Sequence, residues 1–500
     1  MKSTAKILDQ LRQAPMLCAL PALIVGIAVG QWLEVGVVVA VAGFALMVAL
    51  LWRRGGDWTL LGLIMAAGVM SAALRPTSSL PEQGEMEIVV RRITRQAEGR
   101  TTAYGRVVAY RTDNTTRRTR AEVHITADGV ALERGDRLLT VATARPYNTA
   151  SEQERYMAAQ GLSSHIFING DNILQHCSAE PSLIESWQLS ARRRIEQLGL
   201  SERARRTAAA VSIGDRGAIT EALREEYSRS GGAHLLAVSG LHVGFIFAIL
   251  NILLAGLTLL RGGQVIRSIS IILIIWFYAA VADFSPSVIR AATMFSIMQV
   301  ATTLYASARG LNTLALTAFI MLTVDARTLH DAGFQLSFLS VAAILLWVAP
   351  YLRSERQLLP SHSLWRDLSR AVARYALAGV GVSIAATAIT LPLVSHLFGT
   401  ISLWGILLSP LMVPLCAVTT GATLIWIVLP IAPLRGFFGW IIDHAATAMN
   451  NLAAWAAQSD VLWREVSIGS GWCWATYAIL LLLQLALWAW PAPARRRFEK

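Results

Sequence analysis

Residues 234–242 read His-Leu-Leu-Ala-Val-Ser-Gly-Leu-His and open an apolar run that continues to Leu260. Two histidines, a serine and a glycine at the mouth of a membrane-length segment are costly in hydrocarbon. Such residues serve packing against other helices or the passage of something polar. His234 and His242 are eight apart with Val238 midway, so on one continuous helix they share a broad face. Gly240 would let a second helix approach closely, and Ser239 could hydrogen-bond across that contact. The plainer alternative is a packing seam with capping histidines. Two histidines eight apart without a third ligand do not make a metal site, and no cofactor is expected.

Serine with histidine three residues on also admits nucleophilic chemistry. Ala237-Val238-Ser239-Gly240 followed by His242 resembles the nucleophile turn of a membrane serine protease. A hydrolase needs a base within reach of its serine and an oxyanion hole. Ala237 stands where a G-x-S-G pattern has its first glycine, and His242 is fixed to the same rigid element. No catalytic residue is assigned, and the chain is not expected to be an enzyme.

Further polar groups interrupt the later apolar runs. Asp283-Phe284-Ser285-Pro286-Ser287 is followed by Arg290, seven residues after the aspartate. Opposite charges at the ends of membrane segments normally pair with each other. An arginine facing a water-filled path would serve a phosphate backbone equally well. Between Asp325 and Ser337, the stretch Gly333-Phe334-Gln335-Leu336-Ser337 carries Gln335 into the next span, where a loop with helix capping is the plainer account.

A fourth candidate is basic. Residues 91–120 hold Arg91, Arg92, Arg95, Arg100, Arg106, Arg111, Arg117, Arg118 and Arg120 against Glu98 and Asp113, a net of +7. Tyr104 and Tyr110 lie among them on expected strands. A positive groove with aromatic platforms suits single-stranded nucleic acid, and a solvated strand face near acidic lipid is the alternative.

These residues need elements to hold them. The chain is 54% hydrophobic and 15% charged over 500 residues, with a mean hydropathy of +0.49. Its apolar runs are too long for core helices and too many for one anchor, which indicates a polytopic α-helical membrane protein. Three segments, roughly 15–32, 35–52 and 58–74, come first. From about 84 to 177 short alternating runs separated by Asp113-Asn114, Asp128-Gly129 and Gly135-Asp136 predict a small exported β-barrel of OB type, with a helical stretch near Glu152–Gln160.

Residues 182–230 predict amphipathic helices with Arg192–Arg194, Arg203, Arg205 and Arg206 on polar faces, lying at the membrane surface. Apolar segments then fall near 234–260, 265–282, 288–306, 311–324, 332–350, 375–395, 401–430, 436–457 and 472–490. Pro410, Pro414 and Pro430 allow the segment 401–430 to be either one span or a broken one. The domains expected are therefore 1–75, 76–180, 181–232 and 233–500.

Net charge is +12, carried by arginine except for Lys2, Lys6 and Lys500. Cytoplasmic loops collect such charge to set topology, and polyanions are attracted by it. Cys177 is the one cysteine in the polar region, so that region forms no internal disulfide. No G-x-x-x-x-G-K-[ST] occurs, which excludes a Walker-type ATPase.

The segment 234–243 closely resembles the signature of the ComEC family, bacterial membrane channels that admit single-stranded DNA during natural transformation. Gly333–Ser337 looks like that family's G-F-Q-L-S motif. Pro286 with Arg290 resembles its Pro…Arg segment, Gly214-Asp215-Arg216 its upstream glycine element, Tyr156 with Gly161 its tyrosine-to-glycine stretch, and Pro392 with Pro410 two later prolines. The chain departs at Ala326 and Gly405, where members often carry proline and asparagine. It also ends at Lys500 without room for the metallo-β-lactamase-like domain of many members, so nuclease activity is not expected.

The resemblance implies an inner-membrane, multi-pass channel passing single-stranded DNA to the cytoplasm. His234, Ser239, Gly240, His242, Asp283, Pro286, Arg290 and Gln335 would line or gate the path. The arginines and tyrosines of 91–120 would bind DNA. Membrane lipid, a periplasmic DNA receptor and cytoplasmic DNA-handling or motor proteins would be its partners. The alternatives are the membrane serine hydrolase and a small-anion transporter.

Overall fold

The computed structural model describes residues 15–32, 37–54, 57–73, 80–97, 99–112, 115–147, 154, 157–158, 160–178, 182–215, 217, 219–304, 310–350 and 364–489. It is mostly helical, with one separate β-sheet domain. Tyr156, Arg216 and most of the helical stretch expected at Glu152–Gln160 lie outside the described residues.

Three apolar helices, α1 (Met16–Trp32), α2 (Val37–Arg54) and α3 (Asp57–Ala73), precede the sheet. The sheet comprises β1 (Gln83–Ala97), β2 (Arg100–Thr112), β3 (Thr115–Asp128), β4 (Arg137–Pro146), β5 (Leu162–Asn169) and β6 (Ile173–Cys177). Period-two alternation builds it: Met86, Ile88 and Val90 point inward with Ala103, Val107, Val123, Ile125, Leu138, Ile166 and Ile168, all at most 1% exposed. The order is β1-β2-β3-β5-β4-β6, and β1 also pairs with β4. β3 and β5 run parallel, and the other pairs are antiparallel.

A register shift between Val107 and Ala109 separates the two tyrosines of β2. Beyond the extra residue the inward and outward faces exchange, so Tyr110 packs on the core while Tyr104 stays with the outward residues. The two tyrosines of the basic region thus lie on opposite faces of the sheet.

The helices after the sheet are α4 (Leu183–Glu196), α5 (Glu202–Ile213), α6 (Glu221–Arg229), α7 (Ala233–Leu236), α8 (Gly240–Leu253), α9 (Gly263–Val281), α10 (Pro286–Thr303), α11 (Gly310–Val324), α12 (Ala332–Ala343), α13 (Leu364–Phe398), α14 (Trp404–Val428), α15 (Arg435–Ala457) and α16 (Ser470–Ala489). A short β7 (Thr400–Ser402) pairs with β8 (Trp463–Glu465). The segment with Pro410 and Pro414 is a single helix, α14, which ends before Pro430.

The helices of 182–230 pack against the helical body. The C-terminal half of α5 is buried, and Thr207 Oγ1 and Tyr227 OH donate to Asn450 Oδ1 of α15 at 2.9 and 2.8 Å. Arg192 pairs with Asp215 at 2.7 Å, and Arg203 and Arg206 pair with Glu226 and Glu202. A buried amide oxygen needs donors, and α5 and α6 supply both to Asn450 Oδ1, which ties the two helices into the body.

Among the described residues, Gly263–Val281, Ser369–Phe398 and Trp404–Val428 are long and apolar enough to cross a membrane. Shorter apolar helices accompany them, including Gly240–Leu253, Gly310–Val324 and Ala332–Val348. Leu273, Leu377, Leu411 and Leu482 are more than half exposed on such helices, a surface consistent with a membrane protein.

Candidate functional site

The run beginning at 234 is not one helix. α7 stops at Leu236, Ala237 is extended at φ −86° and ψ 138°, and Ser239 is extended at φ −116° and ψ 170° before α8 starts at Gly240. Serine at this point caps better than it continues a helix. Ser239 Oγ accepts the Leu241 N–H at 3.3 Å, and His242 Nδ1 accepts the Ser239 N–H at 3.0 Å. His242 thus takes the reciprocal part of a capping box. The expected common helical face for His234 and His242 does not exist.

The two histidines differ in surroundings. His242 is 0% exposed, and its Nε2 is 3.2 Å from Cys416 Sγ on α14. An Nδ1 that accepts the Ser239 N–H carries no proton, so Nε2 carries it and faces the sulfur. His234 is exposed, and its Nδ1 lies 3.2 Å from the Gly231 carbonyl. Ser239 Oγ is also 2.9 Å from His242 Nδ1, and among the described residues it makes no bond across to another helix. The bond across is made from the other side: Ser287 Oγ of α10 donates to the Val238 carbonyl at 3.2 Å.

Arg290 occupies the centre of this arrangement. It is 7% exposed, and its Nε and Nη1 have no hydrogen-bond partner among the described residues. Its Nη2 lies 2.6 Å from where a Cβ on Gly240 would stand, so only glycine admits the guanidinium over the first turn of α8. Phe338 of α12 is on another side, with Cζ 5.8 Å from the ring centroid. Gly333, in the first turn of α12, approaches Pro286 at the start of α10: a Cβ on Gly333 would stand 3.8 Å from Pro286 Cβ and Cγ.

The first turns of α8 and α12 therefore both meet the start of α10, with the buried Arg290 guanidinium over the first turn of α8 and beside Phe338. Helix N-termini are themselves electropositive, and among the described residues no carboxylate pairs with Arg290, so an anion would complement the arrangement. Ser285 Oγ and Tyr278 OH are also buried without partners among the described residues.

Asp283 does not neutralise Arg290. Its Oδ2 lies 2.9 Å from Arg92 Nε of β1, and its Oδ1 2.8 Å from Arg134 Nη1 in the β3–β4 connection. Asp283 and Phe284 sit at φ 56° and 46°, a strained turn that presents the carboxylate to the sheet domain. The expected Asp283–Arg290 pair is corrected to a bridge between domains. Arg134 also approaches Glu185 of α4 at 3.5 Å.

Gln335 is anchored rather than free, its Nε2 donating to the Leu329 carbonyl at 2.8 Å across the turn before α12. The basic region is less positive than its composition suggests. Arg106 pairs with Glu122 at 2.5 Å, Arg100 with Asp128 at 2.5 Å, and Arg111 with Glu85 at 3.7 Å. Arg91, Arg117, Arg118 and Arg120 are exposed, and the Arg95 side chain lies outside the described residues. The charge remaining for a ligand therefore concentrates on the β2–β3 hairpin and at Arg91.

Sequence reasoning missed Phe338, Arg134 and Cys416. Phe338 lies four residues after Phe334, and the two rings pack at 4.3 Å, so helical spacing was an available signal. No signal pointed to Arg134 or Cys416, whose partners lie far away in the chain.

The chain matches the family described as Competence protein over residues 211–491, more than half its length. The matched part runs from the end of α5 through α16 and includes Ser239, Gly240, His242, Pro286, Arg290 and Gly333–Ser337. ComE operon protein 3 of Bacillus subtilis is 27% identical over 256 residues, which is 50% of this chain and 30% of that protein. The chain thus matches under a third of that relative's length. No solved structure matches it significantly.

Proposed function

Because the chain belongs to the competence protein family, we propose that it is an inner-membrane, multi-pass channel that passes single-stranded DNA into the cytoplasm during natural transformation. The observation that carries this reading is the buried Arg290 guanidinium, without partners at Nε and Nη1 among the described residues, where three helices begin. A phosphate arriving there would meet a fixed donor set and the positive ends of α8, α10 and α12. Repeating phosphates suit such a point, because each is held only until the next takes its place.

In this reading the sheet domain is an exported OB-like barrel. Its order from β1 through β2, β3, β5 and β4, with β4 pairing back to β1, supports that assignment. Arg91, Arg117, Arg118 and Arg120 would receive the strand, and the Asp283 bridge would hold the barrel over the helices. His234, Ser239 and His242 would shape the path beside Arg290. Partners would be a periplasmic DNA receptor, membrane lipid and a cytoplasmic DNA-handling or motor protein. The protein would not itself be an enzyme.

The serine-hydrolase alternative has one favourable distance, Ser239 Oγ to His242 Nδ1 at 2.9 Å. That nitrogen is already engaged by the Ser239 N–H, and the other faces Cys416 instead of an orienting carboxylate. Helix capping accounts for the contact.

The test follows labelled double-stranded DNA in a naturally transformable host whose own copy is replaced by this gene or deleted. Restored transformants on replacement, with DNase-protected DNA accumulating outside the inner membrane on deletion, support the channel. Unchanged transformation on deletion overturns it.

A further inference from the structure

On the outward face of the sheet, four rings stand in one row across three strands. Tyr104 of β2 pairs in register with His124 of β3, which pairs with His165 of β5. The Tyr104 and His124 centroids are 5.5 Å apart, His124 and His165 stack at 4.7 Å and 30°, and His165 meets Phe167 at 4.1 Å. Arg145 of β4, opposite His165, reaches over the Phe167 ring at 5.8 Å. Only Tyr104 of this group was singled out by the sequence.

The row ends at an open pocket of about 430 Å³ lined by Gln83, Thr143, Arg145, Phe167, Asn169 and Asn172. That volume falls within the usual range of small-ligand sites, roughly 300–1,000 Å³. Its chemistry is specific: one aromatic face that is 45% exposed, one guanidinium, and three side-chain amides that both donate and accept. Amides match the mixed edge of a nucleobase, the ring its face and the guanidinium a phosphate.

Thr126 Oγ1 lies 2.9 Å from His165 Nε2 and orients that ring. Burial lowers His165 from 6.5 to about 4, and it also lowers His124. The histidines are thus neutral at pH 7, and the row offers uncharged ring surface beside a cation. Toward the helical body, Arg327 in the turn before α12 packs against Gly161, just before β5. The start of β5 therefore touches the turn between α11 and α12.

We propose that Phe167, Arg145 and the amides of this pocket form a nucleotide subsite that holds one base of a single strand, with the His165–His124–Tyr104 row continuing the ring surface across β5, β3 and β2. The subsite rests on the DNA reading above and adds that the bases, as well as the phosphates, are held. Because every base has a ring face, such a site tolerates any sequence.

The experiment uses the full chain in nanodiscs with two fluorescent probes: an oligothymidylate and an abasic oligomer of equal length. The wild type binds the thymidylate more tightly than the abasic strand. Phe167→Leu weakens thymidylate binding by roughly 5- to 150-fold, as loss of one stacked base would, and leaves abasic binding unchanged. Phe167→Trp retains affinity, which separates stacking from a folding defect. Arg117→Glu weakens both probes alike.

Equal affinity for both probes, or thymidylate binding unaffected by Phe167→Leu, overturns the subsite and leaves the DNA reading standing. Failure of the wild type to bind either strand overturns both.

Discussion

Arg290 Nη2 lies 2.6 Å from the place a Cβ on Gly240 would occupy, so the guanidinium fills the space this glycine leaves on α8. Nη2 is the far end of a flexible side chain, and the neighbouring Ala291 Cβ is at 3.4 Å. In Gly240→Ala the arginine should swing away while the helices stay packed. Expected is a stability change below about 1 kcal/mol, with transformation reduced on the order of tenfold. Thermal unfolding in detergent and transformant counts check the two parts separately.

Arg290 itself should be functional and destabilising at once. A buried cation lacking partners at two nitrogens is uncompensated, so Arg290→Met should unfold at the same temperature as the wild type or higher, by about 1 kcal/mol or more. Transformation should fall by about 100-fold or more in Arg290→Met and be lost in Arg290→Glu, which reverses the field seen by phosphate. Full transformation with Arg290→Met would reduce the residue to packing.

The bridge at Asp283 separates charge from backbone. Asparagine tolerates the φ of 56° but loses ion pairing with Arg92 and Arg134. These groups are partly exposed, so Asp283→Asn should cost only about 1 kcal/mol, with an effect that fades at high salt. Asp283→Val, branched at a left-handed position, should cost about 1–3 kcal/mol more. A double-mutant cycle with Arg92→Ala measures the coupling, and additive effects would argue against the bridge.

The sheet domain should weaken in acid. His165 binds its proton near pH 4 when folded against 6.5 when unfolded, so the unfolded chain takes up more protons between those values. The contribution is complete above about 6.5 and is lost as pH falls toward 4. Amide exchange of the sheet domain measured across that window should show the decline, and His165→Gln should flatten it.

Ser239→Ala removes a cap and should cost about 1 kcal/mol of stability while transformation stays within severalfold of wild type. Complete loss of function in a protein that folds and reaches the membrane would revive the hydrolase.

Much of the architecture was legible because it is periodic. Met86, Ile88 and Val90 alternate as a half-buried strand must, and α9, α13 and α14 are apolar over membrane-like lengths. The motifs at Ser239–His242, Pro286–Arg290 and Gly333–Ser337 were also visible. Less legible was what interrupts a period. Ser239 ends one helix and caps the next inside a run that hydropathy reads as continuous, because capping depends on two specific hydrogen bonds and hydropathy averages over them. The bulge near Val108 likewise turned Tyr110 into the core and left Tyr104 outside.

By itself the sequence determined helix and strand content, the separate sheet domain, the family resemblance and the residue types of the candidate site, since all of these follow from local spacing and composition. Only the tertiary structure decided which charges remain. It gave Asp283 to Arg92 and Arg134, gave Glu122 to Arg106, and left Arg290 buried where α8, α10 and α12 begin, with Nε and Nη1 lacking partners among the described residues. The physical reason is that ion pairs and ring stacks depend on distances of a few ångströms between residues far apart in the chain, and those distances are set by how helices and strands pack.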